Sequence, residues 1–148
     1  MPYTIKETTN ASKIEERECA SDSEIKFSNF TSCIGVIARK GDKLTGVHLS
    51  VYDDQGNIFG EDAQDVDRVL KLVLPKPPQK ADAVTVFGCI DFWRNSESDK
   101  VRAAFGKLTG TLKDKVGKDV ELYHQSNKKD GEYGAKIGGT GIIITFLK

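Results

Sequence analysis

Polar and apolar positions divide the chain unevenly. Residues 1–24 carry Glu7, Glu15, Glu16, Glu18, Asp22 and Glu24 against Lys6, Lys13 and Arg17, and they show neither strand nor helix periodicity. This pattern predicts a mobile or loosely packed polar arm, leaving residues 25–148 as a single domain. From Phe27 the texture changes. Cys33 to Ala38 is a short apolar run, Arg39 to Lys43 is turn-like, and Leu44 to Tyr52 alternates in polarity, which predicts a β-hairpin. Val66, Val69, Leu70 and Val73 recur with helical spacing, with Asp62 as a cap and Pro75, Pro77 and Pro78 as a stop. Ala83 to Phe87 has strand composition. Ser98 caps a second expected helix with Val101, Ala104, Phe105, Leu108 and Leu112 on one side, although Gly106 and Gly110 each cost it about 1 kcal/mol relative to Ala. Val120 to His124 reads as a strand, a polar loop through Lys128, Lys129, Asp130 and Gly131 follows, and Gly141 to Leu147 is expected to close the chain as a buried strand. The resulting expectation is an α/β, layered single domain: a mixed β-sheet made of a hairpin plus αβαβ-type elements, with two helices packed on it.

Composition supports one domain of ordinary size: 148 residues, 38% hydrophobic and 30% charged. Lys and Arg number 22, as do Asp and Glu, so no overall field favours nucleic acid or an anionic membrane. No apolar run reaches membrane-spanning length, and the start lacks the basic and apolar regions of a secretory signal. The expected location is therefore a bacterial cytoplasm, or a host cell reached by a dedicated export route. Three cysteines with no C-x-x-C pair argue against a disulfide framework or zinc ribbon, and no cofactor or metal is expected.

The hairpin brings a thiol and an imidazole into register. With Lys40-Gly41 as a two-residue turn, Cys33 lies directly opposite His48; with Gly41-Asp42, Cys33 faces Ser50 and His48 is its diagonal neighbour on the same face. Val47, Leu49 and Val51 take the other face as an apolar stripe. A neighbouring imidazole can take the proton of a thiol whose ordinary pKa is near 8.5 and then return it to a leaving group, the minimal apparatus of cysteine nucleophilic catalysis. Candidates to orient the imidazole are backbone carbonyls near Phe27 and Ser28 or the hydroxyls of Thr31 and Ser32, and backbone N–H groups around Cys33 are candidates for an oxyanion hole. Against this stands the ordinary role of a strand cysteine as a small core hydrophobe.

Other features carry less. Cys89 and His124 form an alternative pair on different strands, with Cys89 resembling a core residue between Gly88 and Ile90. Lys100, Arg102, Lys107, Lys113, Lys115 and Lys118 make the second helix region basic, the pattern of a solvated face or of a contact with an acidic partner. The glycine-rich stretch from Gly134 to Gly141 precedes a strand rather than joining strand to helix, so it reads as a turn or a site rim and not as a phosphate loop. Trp93 is expected in a loop after a strand, lining a cleft or covering the core. No G-x-S-x-G supports a serine nucleophile.

At the hairpin the residues Cys33-Ile-Gly-Val-Ile-Ala-Arg-Lys40, followed by Val47-His48, resemble the catalytic domain of the cytotoxic necrotizing factor toxins, with Thr31-Ser32-Cys33 standing where such toxins carry Ser-Gly-Cys. The wider superfamily includes the chemotaxis receptor deamidase CheD, which is similar in having a Cys and a downstream His on adjoining strands. The resemblance covers about residues 31–48. It implies a cysteine-dependent protein-glutamine deamidase: Cys33 as nucleophile, His48 as base and acid, Thr31 as an orienting or neighbouring hydroxyl, and a glutamine-bearing protein as substrate. For the toxin branch the implied substrates are Rho-family GTPases. The competing expectation is a non-enzymatic interaction module with a structural Cys33.

Overall fold

The computed structural model of the chain describes residues 3–117, 120–124 and 130–148. Its centre is the hairpin, β4 (Ile34–Lys40) and β5 (Lys43–Leu49), with seven registered pairs from Lys40 with Lys43 to Ile34 with Leu49. Gly41-Asp42 is therefore the two-residue turn, and Gly41 takes φ 62, a left-handed conformation that glycine adopts without steric cost. Around the hairpin, β1 (Lys6–Glu7), β2 (Glu18–Asp22), β6 (Ala83–Gly88) and β7 (Glu121–His124) complete a six-stranded sheet ordered β1-β2-β5-β4-β6-β7. The sheet is mixed: β1 with β2 and β6 with β7 run parallel, the rest antiparallel. A second sheet of three antiparallel strands, β3 (Glu24–Phe30), β8 (Gly131–Gly138) and β9 (Gly141–Phe146), is ordered β3-β8-β9.

Strand β4 explains the layering. Ile34, Val36 and Ala38 pack with the helices, whereas Ile37 packs with Ile25, Phe27 and Tyr133 of the small sheet. A strand buried on both faces reads as a continuous apolar run, as this one does. The result is three layers: helices, six-stranded sheet, three-stranded sheet, in a mixed α/β single domain.

The helices follow their sequence stripes. α1 (Asp65–Val73) buries Val66, Val69, Leu70 and Val73; Asp62 accepts the Gln64 N–H just before the helix instead of capping its first turn. α3 (Asp99–Val116) is capped by Ser98, whose hydroxyl accepts the Val101 N–H, and buries Val101, Ala104, Phe105, Leu108 and Leu112 as the spacing requires. Lys100, Arg102, Lys107, Lys113 and Lys115 lie on its exposed side, while Lys118, like the loop residues Lys128 and Lys129, falls outside the described residues. None of the helices among the described residues is long and apolar enough to cross a membrane.

Four expectations change. Residues 3–24 are not a loose arm: they supply β1 and β2 and bury Tyr3, Ala11, Ile14, Cys19 and Ala20. Trp93 sits on a short helix, α2 (Ile90–Arg94), fully buried and donating its indole N–H to the Ser32 carbonyl. Of the stretch from Gly134 to Gly141, residues 134–138 belong to strand β8, where a Cβ at Gly138 would collide with Ile143 of β9, and only Gly139-Thr140 is the expected turn. Finally, β9 is an edge strand with Ile143 exposed, not a buried one.

Candidate active site

Cys33 enters β4 and His48 lies near the end of β5. In the observed register His48 pairs with Gly35, so Cys33, one step beyond the last pair of the ladder, lines up with Ser50 and has His48 as its diagonal neighbour. Both side chains occupy the layer between the sheets, Cys33 1% and His48 0% exposed, while Val47 and Leu49 face the helices. Glycine at position 35 is required here, because a Cβ would run into the Phe87 ring. Phe87 stacks on Phe30 at 4.6 Å between centroids, and Phe30 lies 4.5 Å from the His48 ring. Phe27 meets the imidazole edge-on at 6.0 Å.

The imidazole is fixed through its backbone neighbour. Nδ1 lies 3.0 Å from the Ile14 carbonyl, which can only accept, so Nδ1 carries the proton and Nε2 presents a lone pair. Nε2 has no hydrogen-bond partner among the described residues. Aromatic burial holds the imidazole well below its ordinary pKa, to about 4, against a smaller upward pull from the Ile14 carbonyl. A neutral ring with a bare Nε2 is the form in which histidine acts as a base.

The thiol is bonded away from the imidazole. Its Sγ–H donates to Glu16 Oε1 at 3.5 Å, and no hydrogen bond joins it to His48. Burial first, and the Glu16 charge second, push the thiol up to about 12, with the Thr31 backbone opposing weakly. The same segment covers the site: Arg17 takes φ 61, donates its N–H to the His48 carbonyl at 2.6 Å, and sends its guanidinium to Ser50 Oγ at 2.8 Å and Asp54 at 2.8 Å. Residues 14–17 form a strap beside the pair: the Ile14 carbonyl orients the imidazole, Glu16 accepts the thiol's hydrogen bond, and the Arg17 N–H holds the His48 carbonyl.

Thr31, expected as an orienting hydroxyl, does not orient the imidazole. It is exposed, and its carbonyl accepts the Cys89 thiol at 2.9 Å. The carbonyls near Phe27 and Ser28 are not the orienting group either, although Ser28 N–H shares the Ile14 carbonyl at 3.1 Å. Sequence reasoning missed Ile14, Glu16 and Arg17 because they sit in the polar opening stretch; the available signal was Ile14, an isolated large apolar residue among charges. Cys89 stands at the start of α2 and is half-buried, not a core residue, and the His124 side chain of the alternative pair lies outside the described residues. Among the described residues no group of three or more His, Cys, Asp or Glu could hold a metal ion.

A comparison with protein-family models finds none that matches this chain, and none of the curated proteins matches it.

Proposed function

We propose that the protein is a cysteine-dependent protein-glutamine deamidase. The observation that carries this reading is a thiol and a neutral imidazole on one face of two hydrogen-bonded strands, the imidazole held by the Ile14 carbonyl so that Nε2 is bare. The likeness of residues 31–48 to the necrotizing-factor toxins and the chemotaxis receptor deamidase supplies the substrate class.

In this mechanism the substrate displaces the Glu16 and Arg17 side chains while the Ile14 carbonyl stays on Nδ1, and the carboxamide of a glutamine enters beside Cys33. His48 Nε2 takes the thiol proton as Sγ attacks the amide carbon. The tetrahedral adduct collapses when the imidazolium returns that proton to nitrogen, so ammonia leaves and a thioester remains. Water, deprotonated by Nε2, attacks the thioester carbonyl, and the thiolate leaves and recovers the proton. The sum is glutamine plus water giving glutamate plus ammonia. On the resemblance, small GTPases are the first candidate substrates, with chemoreceptors as the alternative.

Incubation with candidate GTPases and chemoreceptors, followed by peptide mass analysis, tests the proposal: wild type should convert one glutamine with a one-dalton gain, and Cys33→Ser and His48→Ala should not. One observation favours a second reading. Cys33 is as buried as the core and its thiol is held protonated, which fits a structural thiol in an interaction module. A folded Cys33→Ala protein that keeps every cellular effect of the wild type would select that reading.

A further inference from the structure

A second thiol stands opposite the first, across the other edge of β4. The β4–β6 ladder ends at Ile34 with Gly88, and Cys33 and Cys89 are the residues next to that last pair, where β6 turns into α2. The Cys89 N–H donates to the Cys33 carbonyl at 3.1 Å, one of the two bonds of a hydrogen-bonded pair, while the Cys89 carbonyl accepts the Trp93 N–H. Opposed residues of that kind have Cα atoms about 5.5 Å apart, inside the range that a disulfide spans. The backbones are tight here: a Cβ at Gly88, which has φ 119, would collide with the Cys33 carbonyl. Cys89 is half-buried where Cys33 is fully buried, and its sulfur already bonds to the Thr31 carbonyl two residues before Cys33. Cys19, the third thiol, faces the helix-side core on the other face of the sheet.

From this placement we infer that Cys33 and Cys89 are a reversible oxidation site, closing to an intramolecular disulfide when the protein meets a peroxide. The more accessible Cys89 reacts first: its thiolate attacks one peroxide oxygen, the O–O bond breaks, and a sulfenic acid and one water result. Cys33 Sγ, its proton passed to a neighbouring base, then attacks the Cys89 sulfur; the S–O bond breaks and a second water leaves. Two thiols lose two protons and two electrons, and hydrogen peroxide is reduced to two waters. A small dithiol reverses the bond by exchange. The disulfide stands on the register alone; its consequence, removal of the nucleophile from use, rests on the proposed deamidase reading.

Wild-type protein treated with hydrogen peroxide, then unfolded in excess alkylating agent so that every remaining thiol is blocked, and digested without reductant tests the site. The expected product is a linked pair of the Cys33 and Cys89 peptides, two hydrogens lighter than their sum, lost on treatment with dithiothreitol and retained in Cys19→Ser. Alkylation of Cys33 after peroxide should fall about tenfold in wild type and remain unchanged in Cys89→Ser. Oxidation of Cys89 to sulfinic acid while Cys33 stays fully alkylatable, or linkage only between separate chains, would overturn the inference. Because the linkage is read by mass, a protein inactive on every glutamine substrate still gives a clear answer.

Discussion

The two faces of the six-stranded sheet are built to different standards. On the helix face Val36, Val47, Leu49 and Val86 meet Val66, Val69, Trp93 and Leu108, and the buried Asp65 is fully engaged, accepting the Gly60 N–H and the Arg68 guanidinium at 2.9 and 2.8 Å. On the other face, between the sheets, His48 Nε2 and Ser28 Oγ are buried with no partner among the described residues. A buried polar atom left unsatisfied costs about 1–3 kcal/mol, so such atoms persist where something other than stability retains them. The helix face satisfies its buried polar groups; the inter-sheet face leaves two of them without partners among the described residues, at a cost in stability.

The sharpest break of this contrast is a cavity on the helix side. Leu108→Ala should destabilise by about 2–5 kcal/mol, read as a lowered denaturation midpoint, while leaving the surroundings of Cys33 unchanged. Acid should act through the other face. His48 has a folded pKa near 4, below its ordinary 6.5, so on lowering the pH the unfolded chain binds its proton first. Its protonation has no effect on stability above about pH 7 and withdraws up to about 3 kcal/mol as the pH falls from about 6.5 to 4. Denaturant titrations in wild type and His48→Leu across that window check the sign: the loss should be much smaller in the variant.

At neutral pH the same His48→Leu change should leave stability unaltered or raise it by about 1 kcal/mol, since it removes an unpartnered nitrogen and the Ile14 carbonyl keeps the Ser28 N–H. Activity should vanish, which separates the two properties in one variant. The smallest stability effect belongs to the strap. Arg17→Ala removes half-exposed contacts to Ser50 and Asp54 and should cost less than about 1 kcal/mol. It should nevertheless raise the alkylation rate of Cys33, measured by peptide mass.

The helix face was the more legible half of the molecule. The stripes of α1 and α3 and the Ser98 cap are local patterns with one physical cause each, and they read correctly. The hairpin and its two candidate registers were also legible, because strand parity decides which side chains share a face. What stayed hidden depends on distant partners. β2 (Glu18–Asp22) is polar enough to look unstructured and is held by its pairing with β5, and β8 spends its glycines on the approach of β9. Ile14 joins His48 across 34 positions of sequence, a distance over which no periodicity speaks.

The central claim is that Cys33 and His48 act as one unit once the Glu16 and Arg17 side chains move aside. The pH dependence of alkylation at each cysteine, resolved by peptide mass in Arg17→Ala with and without His48→Ala, tests it most directly. The account predicts that Cys33 reacts far faster than Cys19 near neutral pH, and that the advantage disappears when His48 is replaced. Equal, slow reaction of Cys33 and Cys19 in both proteins, rising only at alkaline pH, would contradict it.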